Sequence, residues 1–272
     1  MKSRTWLILI SLLLLLAVWQ LVASFSGLPV FIIPKPLQVA TRFAQAIVDG
    51  TLLRNTAVTM LEILIGLALG VSMASILGYL LARSLRLERL LSPYIVASQS
   101  IPIVAIAPIL VIWFGPGLFS KILICALIVF FPVLVNTVVG VRSVPEDLRD
   151  LMRSLQASRW QTLHFLELPA ALPVFLGGLR IGATLSVIGA VVGEFVGANR
   201  GLGYMVNYAR GLYDTPLVYV AVFTLVALAL ILYGTVSLIE IHVLSWQQRP
   251  DSDVILFDAT HPKTDQVKDM NL

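Results

Sequence analysis

Six stretches of this sequence are each long and apolar enough to cross a lipid bilayer, which restricts the chain to a bundle of membrane-spanning helices. A spanning helix takes about 20 predominantly apolar residues. Trp6 to Ala23, Ala57 to Ala82, Leu90 to Phe114, Leu118 to Gly140, Leu172 to Val196 and Pro216 to Ile241 each supply them. Lipid offers backbone amides no hydrogen-bond partners, so each segment must satisfy its own. The predicted fold class is therefore all-α integral membrane, with about six transmembrane helices. Composition agrees: 58% of the 272 residues are hydrophobic and 12% charged, against about one quarter charged in a soluble domain.

Charge orients the bundle. Six spans put both termini on one side, and the loops of that side carry Lys2, Arg4, Arg83, Arg86, Arg89, Arg142, Arg149, Arg153 and Arg159. Cations accumulate in cytoplasmic loops, so both termini are expected in the cytoplasm, with the chain multi-pass in a plasma membrane. The net charge of +4 does not point to nucleic acid, because the cations are spread over several loops instead of forming one patch. Val22-Ala23-Ser24 resembles a signal-peptide cleavage site, yet losing the first span would leave an odd number of helices and spoil the charge bias. The single cysteine, Cys125, lies in an apolar run, which excludes an intrachain disulfide and a thiolate metal site and reads as a small buried hydrophobe.

Three regions follow. Residues 1–56 hold the first span and an external segment in which Val39, Phe43 and Ile47 recur at helical spacing after Pro29, Pro34 and Pro36, predicting a short helix along the outer interface. Residues 57–245 form the main transmembrane unit, and 246–272 a polar tail with Pro250 and Pro262, expected to be a flexible cytoplasmic end.

The longest loop on the cytoplasmic side, residues 141–171, has its own punctuation. Ser143-Val144-Pro145-Glu146 fits a capping box that would open a short helix. Leu148, Leu151, Met152 and Leu155 then form one apolar stripe, with Arg149, Asp150 and Arg153 facing elsewhere. Ser158-Arg159-Trp160-Gln161 offers a second capping box, and Trp160, Leu163 and Leu166 restart the stripe. The spacing predicts two helices joined by a turn at Gln156-Ala157, the second ending at Leu168-Pro169. Pattern alone leaves open whether this pair packs on its own helix ends or on a partner.

The residues themselves resemble the signature loop of ABC importer permeases: Glu-Ala-Ala, three residues, Gly, then about nine residues to Ile-x-Leu-Pro. The matching positions are Asp150-Leu151-Met152, Gln156 and Leu166-Glu167-Leu168-Pro169. Asp150 keeps the carboxylate on a shorter side chain, while Leu151 and Met152 replace alanines. Gln156 stands where the pattern has glycine, and a left-handed backbone there would cost a non-glycine residue about 1 kcal/mol. The resemblance runs from the second span to the sixth and is similar to the branch serving taurine and alkanesulfonates, nitrate, bicarbonate and vitamin precursors. SQSIPIVAIAPILVIWFGPGLFSKILI, FFPVLVNTVVGVRSVP and GAVVGEFVGANRGLGY look most like permeases for riboflavin and for the thiamine pyrimidine precursor.

That resemblance implies a type I ABC importer permease fold, an extracytoplasmic solute-binding protein, and a coupling helix seated on a separate cytoplasmic ATPase dimer. It assigns the ATPase contact to Glu146, Asp150, Leu151, Met152, Arg153, Ser154, Gln156, Ala157, Arg159 and Trp160. One chain supplies one such loop whereas two ATP sites act in the family, so a second permease chain, simplest as a homodimer, is implied. No G-x-x-x-x-G-K-[ST] occurs and none of the five lysines follows a glycine, so the chain itself cradles no nucleotide and ATP belongs to the partner.

Polar residues inside spans are expensive and mark pathways or partners. Gln99, Ser100, Asn136 and Glu194 are the candidates for the translocation path, with Glu62 and Arg180 also intramembrane. Arg180 is within reach of the cytoplasmic interface by snorkelling. Pro102 and Pro108 should break the third span beyond Gln99-Ser100, and such breaks are tolerable where they line protein or water. Trp113, Phe114, Phe130 and Phe131 would suit a planar substrate or simple packing. The glycine-rich Gly193–Tyr204 lacks the strand-turn-helix setting of a dinucleotide site and reads as an outer gate loop. A rival reading, an intramembrane hydrolase pairing Ser72 with His242, needs the two at one depth, and the sequence puts Ser72 mid-span and His242 near a span's end.

Overall fold

The computed structural model describes residues 2–245, within which every regular element is a helix. The tail at 246–272 lies outside the described residues. The elements are α1 (Lys2–Phe25), α2 (Pro36–Val48), α3 (Thr51–Arg83), α4 (Leu85–Ser100), α5 (Ile103–Phe114), α6 (Leu118–Arg142), α7 (Glu146–Ser154), α8 (Arg159–Thr162), a π-helical turn (Leu163–Glu167), α9 (Leu168–Gly197), α10 (Leu202–Gly211) and α11 (Thr215–Val243).

Four helical stretches are continuous spans by length and composition: α3, α6, the rod Arg159–Gly197, and α11. A fifth is broken, since α4 and α5 meet at 94°. The six expected segments thus appear as four unbroken helical stretches, one broken pair and α1, whose 24 residues reach about 36 Å at 1.5 Å per residue. The described apolar stretch of α1 is Leu13–Phe25.

Helix α6 is the spine. Without a hydrophobic drive between helices in lipid, close packing comes from small residues that let backbones approach. On α3, Gly66, Gly70, Ala74 and Gly78 recur every fourth residue against α6, and a Cβ on Gly70 would fall 2.7 Å from the Ala126 carbonyl oxygen. On α9, a Cβ on Gly178 would fall 2.5 Å from Asn136 Cβ. Both faces of α6 are therefore clasped at backbone distance.

The peripheral helices are fastened to α11. Trp19 of α1 stacks on Tyr219 at 5.5 Å, and its Nε1 donates to the Pro34 carbonyl at 3.1 Å. On α2, Val39 and Ala46 enter the core beside Leu217 and Val220 while Phe43 and Ile47 stay exposed. Arg42 Nε pairs with Asp214 at 2.9 Å. The predicted short helix is present, with one face packed on the bundle.

The loop departs from expectation at two points. Ser143 forms no capping box: it ends α6, its hydroxyl donates to the Gly140 carbonyl at 2.8 Å, and Pro145, with φ −56°, takes the position before α7 without a side-chain cap. The helix still begins at Glu146 because proline's fixed φ sets up the first turn. Nor does Leu168-Pro169 stop the second helix. Pro169 sits in the first turn of α9, where its missing N–H costs nothing, and the preceding π turn absorbs the change of register, the Leu168 amide donating to the Leu163 carbonyl.

The other features form as read. Ser158 accepts from the Gln161 amide at 3.3 Å and its own amide donates to Gln161 Oε1 at 2.7 Å. Gln156 is left-handed at φ +53°, with its amide on Arg153 O at 2.9 Å and the Ala157 amide on Met152 O at 3.0 Å. That bonding is a Schellman motif, in which glycine is the usual left-handed residue.

The seam makes a direct prediction. Gly70→Ala should destabilise the protein by about 1–3 kcal/mol through overpacking against a backbone carbonyl, read as a lower thermal midpoint in detergent. Gly234→Ala on α11, where a Cβ meets nothing within 4 Å, is the control and should leave the midpoint unchanged or raise it. Equal midpoints would show that the α3–α6 contact is loose.

Candidate functional site

The break in the third span originates at Ile101-Pro102. Proline lacks an amide hydrogen and forces the residue before it out of the helical region, and Ile101 is extended at φ −85°, ψ 119°. Pro108, by contrast, is carried inside α5 without a break. The bend opens a cavity of about 370 Å³ lined by Ser98, Gln99, Ile101, Phe131 and Asn136. A second cavity of about 570 Å³ continues from Gln99 and Val135 along α4 and α6 to Glu88, Arg142 and Ser143. Gln99 lines both, so one groove runs from the broken helix to the Arg142–Glu88 ion pair, whose Nη1 and Oε1 lie 2.7 Å apart.

Two of the four pathway candidates, Gln99 and Asn136, are brought together there. Asn136 Nδ2 donates to the Pro132 carbonyl at 2.8 Å. Ser100, beside the break, is exposed and bonds the Val96 carbonyl at 3.2 Å. Phe131 lines the cavity edge-on to Phe130 at 5.2 Å, whereas Trp113 is exposed on α5.

Glu194 belongs to a different cluster, a buried polar knot at the end of the bundle where α9 gives way to α10. Its Oε1 accepts from Thr59 Oγ1 at 2.6 Å and its Oε2 from the Gly203 amide. Thr59 Oγ1 in turn accepts from the Leu202 amide at 2.8 Å, and Asn55 Oδ1 from the Gly201 amide at 2.8 Å. Beside it, Lys121 Nζ meets Glu62 Oε1 at 2.9 Å with both side chains buried, while Glu62 Oε2 has no hydrogen-bond partner. Gly201 is the one residue type that fits its place: φ is +119°, and a Cβ would lie 2.2 Å from the Glu194 carboxyl. The glycine-rich segment read as an outer gate is thus pinned from beneath by α3 and α9.

Lys121 escaped the sequence reading because a cation in the first turn of a span usually reaches out to the interface. The available signal was Glu62, an acid inside an apolar helix that demanded a cation somewhere. Arg180 likewise pairs, with Glu240 of α11, and lies 5.3 Å over the Tyr233 ring.

At the other end, none of α7 is buried. Leu148 is exposed, Leu151 and Leu155 are 53% and 68% exposed, and Met152 is half-buried, so the apolar stripe does not close on the chain's own helix ends. Glu146 and Asp147 sit in the first turn, where the helix dipole favours anions. Asp150 pairs with Arg153 at 2.7 Å in the open, and Ser154, Gln156 and Arg159 are exposed while Ala157 is half-buried. Trp160 is 71% exposed and stacks on His164 at 6.3 Å. Arg149 Nη2 bonds the Val141 carbonyl at 2.7 Å, tying α7 back to α6. Ser72 and His242 spend their polar atoms on the Ala68 and Leu238 carbonyls of their own helices, and form no dyad.

Comparison with known proteins agrees with this geometry. Residues 66–244 match the family model described as the binding-protein-dependent transport system inner membrane component. A riboflavin transport system permease protein of Chloroflexus aurantiacus is 48% identical over 238 residues, covering 88% of this chain and 89% of that one. A formylaminopyrimidine transport permease protein of Halalkalibacterium halodurans is 36% identical over 237 residues, covering 87% and 94%. Among solved structures, a methionine ABC transporter in an inward-facing conformation superposes with a TM-score of 0.59 at 20% identity, over 72% of this chain and 95% of that one.

The buried knot predicts an asymmetry between single and paired substitutions. Lys121→Met leaves the Glu62 carboxylate stranded and should cost about 3–5 kcal/mol, whereas removing both charges together is far milder. Size-exclusion and thermal unfolding of detergent-purified protein should show Lys121→Met largely misfolded and Glu62→Gln/Lys121→Met recovered most of the way. A double variant as damaged as the single one would refute the ion pair.

Proposed function

The chain belongs to the binding-protein-dependent transport system inner membrane component family, the permease subunits of ABC importers, and from that premise we propose that it carries riboflavin or a thiamine pyrimidine precursor along the groove at the broken third span. It is a transport subunit and not an enzyme, and the ATPase is a separate polypeptide. The observation that carries the path is the exposed break at Ile101-Pro102 beside Gln99 and Asn136. Unsatisfied backbone is tolerated at membrane depth only where it meets water or protein, and α4 has no buried residue to supply that cover. A second copy of the chain facing this groove supplies it, which supports a homodimer with the path between the copies.

The relatives' names favour a planar vitamin over an inorganic anion, and the chemistry of the groove is compatible: two carboxamides and one aromatic face, with the Arg142–Glu88 pair at its far end. In this reading a binding protein delivers the ligand to the outer face, and the stripe Leu148, Leu151 and Leu155 with Asp150 docks on the ATPase. Both termini then face the cytoplasm.

Three outcomes check this. Thiol labelling of single cysteines should find Gly50→Cys accessible from outside and Ser158→Cys only from the cytoplasm; outside labelling at Ser158 would invert the topology and remove the docking argument. Asp150→Arg should leave the permease inserted but lower ATPase co-purification, since reversing a charge at a buried contact costs about 2–5 kcal/mol, while Gln156→Gly, which relieves the left-handed residue, should stabilise by about 1 kcal/mol and retain the ATPase. Radiolabelled riboflavin uptake should be competed by the pyrimidine precursor or the reverse, and fall in Gln99→Ala and Asn136→Ala; strong taurine or nitrate uptake indifferent to both vitamins would contradict the substrate class.

A further inference from the structure

The docking loop is joined to the rest of the bundle by one buried carboxylate that the family pattern leaves unspecified. Glu167 is the last residue of the π turn and is 1% exposed. Its Oε2 accepts from Arg83 Nη2 at 2.8 Å and from the Tyr79 hydroxyl at 3.1 Å. Arg83 Nε donates to the Tyr79 oxygen at 3.0 Å, and the guanidinium lies 5.4 Å over the Tyr79 ring. Arg83 is the final residue of α3, and the next residue, Ser84, caps α4 through the Leu87 amide at 3.3 Å. A single carboxylate therefore ties the segment that leaves the docking loop to the junction of α3 with the broken span.

Two further features make this tie suited to movement. A π turn holds an extra residue in one helical turn, and such turns concentrate at functional sites. Against it lies an apolar cavity of about 400 Å³ lined by Tyr79, Thr137, Leu163, Leu168 and Phe175 among others, so the turn has space on one flank where the rest of α9 is clasped against α6. Arg149 bonds α7 to α6 by a backbone carbonyl, which a sliding loop can exchange; the Arg83–Glu167 bridge, with a buried acid, cannot be broken without stranding its charge.

We propose that Glu167 is a positioning residue that transmits displacement of the docking loop, through Arg83 and Tyr79, to the α3–α4 junction and so to the broken helix lining the groove. The loop pulls on α9 covalently and on α3 electrostatically, and the displacement reaches the groove through α4. This rests on the reading that α7 docks on the ATPase.

The test uses the permease–ATPase complex, with Cys125 replaced by serine and spin labels at Arg86→Cys, an exposed position just past Arg83. In the unmodified complex, ATP should shift the distance between the labels of the two copies. In Glu167→Gln, which keeps the shape and removes the charge, the complex should form and hydrolyse ATP at a rate within about threefold of normal, while the ATP-induced shift disappears, a coupling loss of the size networks of this kind carry. The swap Arg83→Glu/Glu167→Arg should restore the shift, and Tyr79→Phe, the gentlest change, should reduce it. An undiminished shift in Glu167→Gln would overturn the proposal, as would a shift lost only in proportion to lost complex and not recovered by the swap. Failure of the docking reading would register separately, as an ATPase that does not co-purify with the unmodified permease.

Discussion

A buried ion pair organises the end of the bundle where α9 gives way to α10. Lys121 carries a cation into a buried site, and such a group is tolerated where an opposite charge meets it. Its partner at 2.9 Å, Glu62, is on α3, and the neighbouring Glu194 of α9 holds α10 by the Gly203 amide. Three spans and α10 are thus fixed to one another through one cluster of buried polar groups.

Away from the knot the bundle passes through glycine seams to an apolar cavity, a π turn and an exposed helix pair. At α7 the apolar side chains have no cover of their own, whereas Lys121 and Glu194 are buried among hydrogen-bonded partners. The groove at Gln99 and Asn136 lies between α6 and the span broken at Pro102.

How much of this was legible depended on the range of the interaction. Apolar length revealed the spans, and Pro102 revealed the break, because both are local consequences of backbone chemistry. The two short helices and the turn at Gln156 were legible for the same reason. Ser143 misled, since the same hydroxyl that fits a capping box also fits the end of the preceding helix, and Gly140 offered the nearer carbonyl. Pro169 misled because a proline that ends one helix can equally sit in the first turn of another. What could not be read were pairings of residues far apart in the chain: Glu62 with Lys121, Arg83 with Glu167, and the grouping of Glu194 with α10 instead of with Gln99 and Asn136. The fourfold recurrence of Gly66, Gly70, Ala74 and Gly78 was in plain view and marks a seam, but its partner helix was not.

The account stands on α7 being a contact for another protein and not a surface ornament of the permease. Site-directed cross-linking measures that contact itself. With Cys125 replaced by serine, single cysteines placed one at a time from Asp150 to Ala157, Ser154 foremost, should cross-link to the co-purified ATPase in a helical pattern that follows the exposed apolar stripe. Absence of any cross-link across that whole segment, in a complex that nonetheless transports, would show that α7 is not where ATP hydrolysis is felt.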